Sequence, residues 1–156
     1  MSYIEKNLMS AEKIVYRTKL HRIVFVWPII WLVVALLIFF SMSDVAVRDV
    51  LSILIFLLAI LTSISVFINY TTSEFAITNK RVIVKVGFIR RNSIEILLSK
   101  VEGIQVNQGI LGRIFGFGSI VVSGTGGTKD PFHKISNPLE FRRKTQEQIA
   151  AVQETK

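Results

Sequence analysis

The chain has 156 residues, with 19 Lys+Arg against 11 Asp+Glu, a formal charge of +8 and no Cys. Half of it is hydrophobic (51%) and only 19% is charged, which excludes a disordered chain, and the apolar residues fall in blocks rather than by period, unlike an ordinary soluble domain. The missing Cys excludes a disulfide scaffold, a thiolate metal site and a thiol nucleophile, while the basic excess points to an acidic neighbour, nucleic acid or anionic lipid.

Residues 1–22 come first, a basic stretch whose segment Glu12–Lys19 is a candidate strand. The apolar run that follows, about residues 23–43, carries no charge, and a second uncharged stretch covers about residues 50–70. Each has an apolar heart that as a helix measures roughly 27–29 Å, close to the hydrocarbon thickness of a bilayer. Neither shows the polar stripe of a helix buried in a soluble bundle. Two membrane-spanning helices are therefore expected, joined by a loop over Ser41–Asp49 and returning as a hairpin. Lys13, Arg17, Lys19 and Arg22 precede the first helix, and Lys80, Arg81 and Lys85 follow the second, against a single Arg in the loop. That asymmetry places both termini on the cytoplasmic side. Arg22, Trp27, Trp31 and Tyr70 are the expected membrane-interface anchors, and Pro28 falls where a missing amide hydrogen costs little. The long apolar stretch and the lack of a small-residue cleavage site argue for a retained anchor rather than a signal peptide.

After Tyr70 the period changes. Phe75 and Ile77 alternate, Asn79-Lys80 reads as a turn, and Val82, Val84 and Val86 alternate again, which predicts a hairpin. Further strands are expected at Ser93–Leu98, at Lys100–Asn107 with Gly103 at a bulge, at Ser119–Ser123 and at Phe132–Ser136. Asn137-Pro138-Leu139-Glu140 has the form of a capping box opening a helix over about residues 138–152, with Phe141, Ile149 and Val152 facing a core. The fold class is α+β: a two-helix transmembrane hairpin (residues 23–70) plus a cytoplasmic seven-stranded antiparallel sheet or barrel (residues 71–156, with the first strand at 12–19), capped by a C-terminal helix.

Several of these residues resemble a known family. Thr78-Asn79-Lys80-Arg81 through Gly87, Glu95-Ile96 with Lys100-Val101-Glu102-Gly103-Ile104, and Gln108-Gly109-Ile110-Leu111-Gly112-Arg113 through Gly118-Ser119-Ile120 stand in the order found in the bacterial pleckstrin-homology-like (PH-like) family. Ser123-Gly124-Thr125-Gly126-Gly127 and Asn137-Pro138 with Phe141-Arg142 complete the series, and the preceding hairpin is similar to that of membrane-anchored members. The resemblance implies a PH-like fold, a non-enzymatic interaction module, no catalytic residues, and an oligomer-forming scaffold more than a phosphoinositide reader.

Three groups of residues are candidate contacts. Lys80, Arg81, Lys85, Arg90 and Arg91 either dock the domain on anionic lipid, at ~1 kcal/mol per residue close to the surface, or form a solvated face that sets topology. Ile110, Leu111, Ile114 and Phe115 recur at the spacing of one short helix, which either closes the core or meets a bilayer or a second copy. Gly124, Thr125 and Gly126 belong to a glycine-rich loop that lacks the Gly-Lys-Ser/Thr of a phosphate loop and reads as a connector or a partner contact. His21 and His133 have no metal-ligand spacing, and Ser123, Asp130 and His133 are too weak a set to argue a triad. The expectation is a membrane-anchored, non-enzymatic, self-assembling scaffold in the cell inner membrane, without metal, cofactor or nucleic acid. The alternative is a monomeric adaptor for anionic lipid headgroups or peptides.

Overall fold

The alternating stretches on either side of the apolar blocks come together as neighbours in one sheet. The computed structural model of the chain describes residues 3–41, 44–88, 92–125 and 131–154. It divides into two units, residues 22–71 and the remainder.

In the larger unit a short helix α1 (Tyr3–Lys6) precedes strand β1 (Ile14–Thr18). After the apolar insertion come β2 (Glu74–Thr78), β3 (Arg81–Val86) and β4 (Asn92–Leu97), all antiparallel in the order β1-β2-β3-β4. A 3-10 turn at Leu98–Lys100 leads to β5 (Val101–Asn107), helix α4 (Ile110–Phe115), β6 (Phe117–Gly124) and β7 (Pro131–Ser136), and these three strands form a second antiparallel sheet; α2 (Val26–Ser41) and α3 (Val45–Thr72) are the two helices of the insertion. Among the described residues the domain is thus two sheets of four and three strands, not one seven-stranded barrel. The 3-10 turn swings the chain from one sheet to the other, and the sheets touch at their corners. Leu20 bridges Ile135, and the Ser136 N–H donates to the Lys19 carbonyl at 3.0 Å, joining the end of β7 to the end of β1.

Helix α5 (Pro138–Glu154) closes the core. Phe75, Ile77, Val82, Val84 and Leu98 meet Ile120, Val122, Phe132, Ile135 and Phe141, with Ile149 and Val152 packed against them. Phe75 and Phe132 meet edge to face across the sheets, ring centroids 6.1 Å apart. The start of α5 departs from a capping box: Asn137 has φ 49°, left-handed rather than the extended geometry of an N-cap, and its N–H donates to the Gly116 carbonyl at 2.9 Å. Glu140 instead faces Tyr16, whose hydroxyl lies 3.5 Å from its carboxylate. Burial, and then the Glu140 charge, raise the Tyr16 pKa.

The N-terminal segment covers the opposite face of the first sheet. Ile4 packs with Ala76 and Ile83, flanked by Tyr3, Leu8 and Ile14. Consequently β2 and β3 are buried on both faces, although only one face of each reads as apolar.

The smaller unit is a helical hairpin. A 3-10 turn at Arg22–Phe25 runs into α2 (Val26–Ser41), and α3 spans Val45–Thr72. Counted with its 3-10 turn, the first helix (Arg22–Ser41) is long and apolar enough to cross a membrane, as is α3. Phe25 meets Tyr70 at 5.3 Å at one end, and Arg48 sits 4.9 Å over the Phe39 ring at the other, so the helices are antiparallel. Ala35, Ser52 and Ala59 are buried between them, small side chains that let two backbones approach. The connection is shorter than Ser41–Asp49, because the Asp44 carboxylate accepts from the Val47 N–H (3.2 Å) and caps a helix that already includes Arg48 and Asp49. Thr62, Ser63, Ser65 and Thr71 donate their hydroxyls to carbonyls one turn back, which satisfies them without a partner outside the helix.

Candidate interaction surfaces

The basic residues after the second helix do not form one surface. Arg81 is only 7% exposed. Its Nε and one terminal nitrogen hold both oxygens of Glu12, at 3.0 and 2.9 Å, a bidentate pair. The same terminal nitrogen donates to the Asn7 carbonyl, and the other reaches Glu95. The Thr78 hydroxyl, 2.7 Å from Glu12, accepts from the Arg81 N–H. Burial pushes the Glu12 carboxyl up, but hydrogen bonds from Arg81, the Met9 N–H and Thr78 outweigh it and hold its pKa below the ordinary carboxylate range. The hydrogen bond to Glu12 raises the Arg81 pKa in turn. Lys85 is buried as well, its ammonium 4.6 Å from the centre of the Tyr3 ring. Arg81 and Lys85 are therefore structural, not lipid contacts: both lie on the sheet face that the N-terminal segment covers. Lys80 is exposed and donates to the Ser10 carbonyl at 2.8 Å. Arg90 and Arg91 lie outside the described residues.

Helix α4 forms where the spacing puts it, but it does not close the core. Ile110, Leu111, Ile114 and Phe115 are all exposed, Ile110 to 81%. Its inner side is Gly112, where a Cβ would lie 2.5 Å from the Phe117 carbonyl oxygen. The Gln108 amide donates to the carbonyls of Gly112 and Phe117, and Gly116 ends the helix at φ 75°, which suits glycine. Arg113 points outward.

In the glycine-rich loop Gly124 is not a contact residue. It is buried at the end of β6, and a Cβ there would meet Ile96 and the Lys100 carbonyl at 3.2 Å. Thr125 is exposed, and Gly126 lies outside the described residues, as does Asp130. His133 is exposed on β7, and its Nδ1 lies 2.8 Å from the hydroxyl of Ser119, not of Ser123. Among the described residues no cluster of three metal-ligating side chains occurs.

A surface not singled out by the sequence motifs lies on the outer face of the second sheet. Gln105, Asn107, Ser119, Val121, His133 and Arg142 line a hollow of about 580 Å³ beside β5. Its signal is alternation: Gln105 and Asn107 are the polar, outward positions that alternate with Ile104 and Val106. In the hairpin, Trp27 is exposed on the first turn of α2, Trp31 is half-buried one turn on, and Tyr70 lies in the last turn of α3. Arg22 is exposed in the 3-10 turn.

No curated protein and no solved structure matches the chain significantly. A family model described as bacterial PH domain matches residues 23–149, a span that takes in the helical hairpin as well as the strands from β2 onward. Two antiparallel sheets closed by a C-terminal helix agree with it. The chain belongs to the bacterial PH domain family.

Proposed function

We propose that the protein is a membrane-anchored, non-enzymatic interaction module of the cell inner membrane, with both termini in the cytoplasm. The observation that carries this reading is the place of the hairpin. It interrupts the chain between β1 and β2, which are paired neighbours in the four-stranded sheet. Most large apolar side chains of both helices are exposed, and each forgoes roughly 1.5–3 kcal/mol if left in water. Lipid is the environment that removes this cost. A domain joined to the hairpin through two adjacent strands is tethered to the membrane by both of them.

At that surface the domain offers the hollow beside β5 to a protein partner, and a second copy is the first partner to consider. Confinement to two dimensions raises effective concentration, so weak contacts suffice for assembly. The hollow, with its mixed apolar and polar lining, equally favours a peptide bound by a monomeric adaptor.

Two measurements test the proposal. In sealed cells Asp44→Cys should react with an impermeant maleimide added outside, and Glu102→Cys only after lysis. The reverse pattern overturns the topology. Nanodisc-held protein should have a mass above that of one chain, and Val121→Cys should crosslink copies. A single-chain mass at every concentration removes self-assembly and leaves the adaptor.

A further inference from the structure

Among the described residues, the five most exposed large apolar side chains of the domain stand in two groups. Ile110, Leu111, Ile114 and Phe115 stand on α4, and Phe88, 65% exposed, stands in the turn between β3 and β4. Contacts within the domain locate both groups at the points where the chain leaves it and returns. The His21 ring stacks on Phe117, just past the end of α4, with ring centroids 5.3 Å apart. The His21 N–H also donates to the Lys134 carbonyl at 2.6 Å. On the other flank the Gly87 N–H lies 3.5 Å from the Ser73 hydroxyl, and Glu74 pairs with Lys85, so β3 ends beside the start of β2. His21 is followed directly by the first apolar span, which begins at Arg22, and Ser73 directly follows the last residue of the second, Thr72. There is no linker on either side.

Charge follows the same pattern. Lys19, Arg113 and Lys134 are exposed around this rim, and among the described residues none of the three forms an ion pair. The inner side of α4 is fixed by Gly112 and Gln108, so its outward face is a rigid apolar ridge.

We infer that this rim is a second membrane contact: α4 and Phe88 enter the interfacial layer of the leaflet into which the hairpin passes, with Lys19, Arg113 and Lys134 among anionic headgroups. The inference rests on the reading of the two long helices as membrane-spanning. Lipid is the occupant because each apolar group stands beside one exit: Phe115 is two residues from Phe117, on which His21 stacks, and Phe88 is one residue from Gly87, which reaches Ser73, about 4–8 Å of chain in each case. Apolar side chains on an amphipathic element bury roughly 5–10 Å into the headgroup boundary, which that reach matches. Seated this way, the domain has a fixed tilt and presents a chosen face to partners.

The absence of Cys makes single-cysteine labelling direct. Full-length Leu111→Cys and Phe88→Cys, carrying an environment-sensitive fluorophore, are placed in nanodiscs of phosphatidylglycerol and phosphatidylethanolamine. Nitroxide lipids labelled near the headgroup or near the chain centre are the quenchers. Glu102→Cys, on exposed β5, and Leu54→Cys, within α3, serve as references. The Leu111 and Phe88 labels should lose most of their emission to the headgroup-level quencher and less to the deep one, while Glu102 stays bright. If Leu54 is quenched and the rim labels are as bright as Glu102, the inference is overturned. Disulfide capture between two copies of the unlabelled Leu111→Cys variant, with no quenching of the labelled one, overturns it in favour of a second chain. If Leu54 also stays bright, the membrane-spanning reading fails, and this inference with it.

Discussion

Replacing Arg81 with Leu should unfold the four-stranded sheet locally before it affects anything else. The guanidinium is the sole cation in contact with Glu12 among the described residues, and the Glu12 side chain is fully buried (0% exposed). Removing one partner of such a pair leaves a desolvated charge, at a cost of about 3–5 kcal/mol. That compares with total stabilities of about 5–15 kcal/mol for domains in general. Both Trp residues lie in the hairpin, so Trp fluorescence is blind to this event. Hydrogen exchange of the full-length protein in nanodiscs reads it directly, because protection reports local opening. Amides of β2 and β3 should lose roughly 140- to 3,700-fold in protection, the same energy at tenfold per 1.4 kcal/mol. The double variant Arg81→Leu with Glu12→Leu should recover much of the loss, since an apolar pair of similar volume removes the stranded charge. A loss below about fivefold, the scale of a surface ion pair, refutes the reasoning. So does a double variant worse than Arg81→Leu alone.

The same cluster sets an acid limit. Because the folded pKa of Glu12 is depressed, its contribution is complete above the unfolded carboxylate range and is lost as pH falls through the folded value; Glu12→Gln should flatten that acid limb in a pH series of hydrogen exchange. Gly112→Ala should loosen the α4–β6 junction by about 1–3 kcal/mol, because its Cβ would meet a backbone oxygen that cannot rotate away; proteolysis near Arg113 measures this. Phe141→Ala, at a fully buried position, should cost about 3–5 kcal/mol, seen as loss of protection in α5 and in both sheets. Lys80→Ala should change stability by no more than about 0.5 kcal/mol, since Lys80 is exposed and its hydrogen bond to the Ser10 carbonyl lies at the surface; a larger thermal destabilisation would contradict that position.

The sequence by itself determined whatever depends on local period. Two uncharged runs gave two apolar helices, and alternation at Phe75–Ile77 and Val82–Val86 gave β2 and β3 with the Asn79-Lys80 turn between them. The spacing of Ile110, Leu111, Ile114 and Phe115 gave α4 as a helix, but not which way it faced. Only the tertiary structure decided what covers each face. Arg81 and Lys85 occupy outward-reading positions of a strand, where an exposed cation is the ordinary expectation. Residues 3–13 fold back over that face from some seventy positions upstream, bringing Glu12 and Tyr3 onto them. Nothing in the local pattern of β3 encodes a cover supplied from so far away. The same holds for Gly124, whose role is set by Ile96 and Lys100 on another part of the chain. Side-chain period is written along the backbone; burial is a property of the neighbours, and these arrive only when the chain has folded.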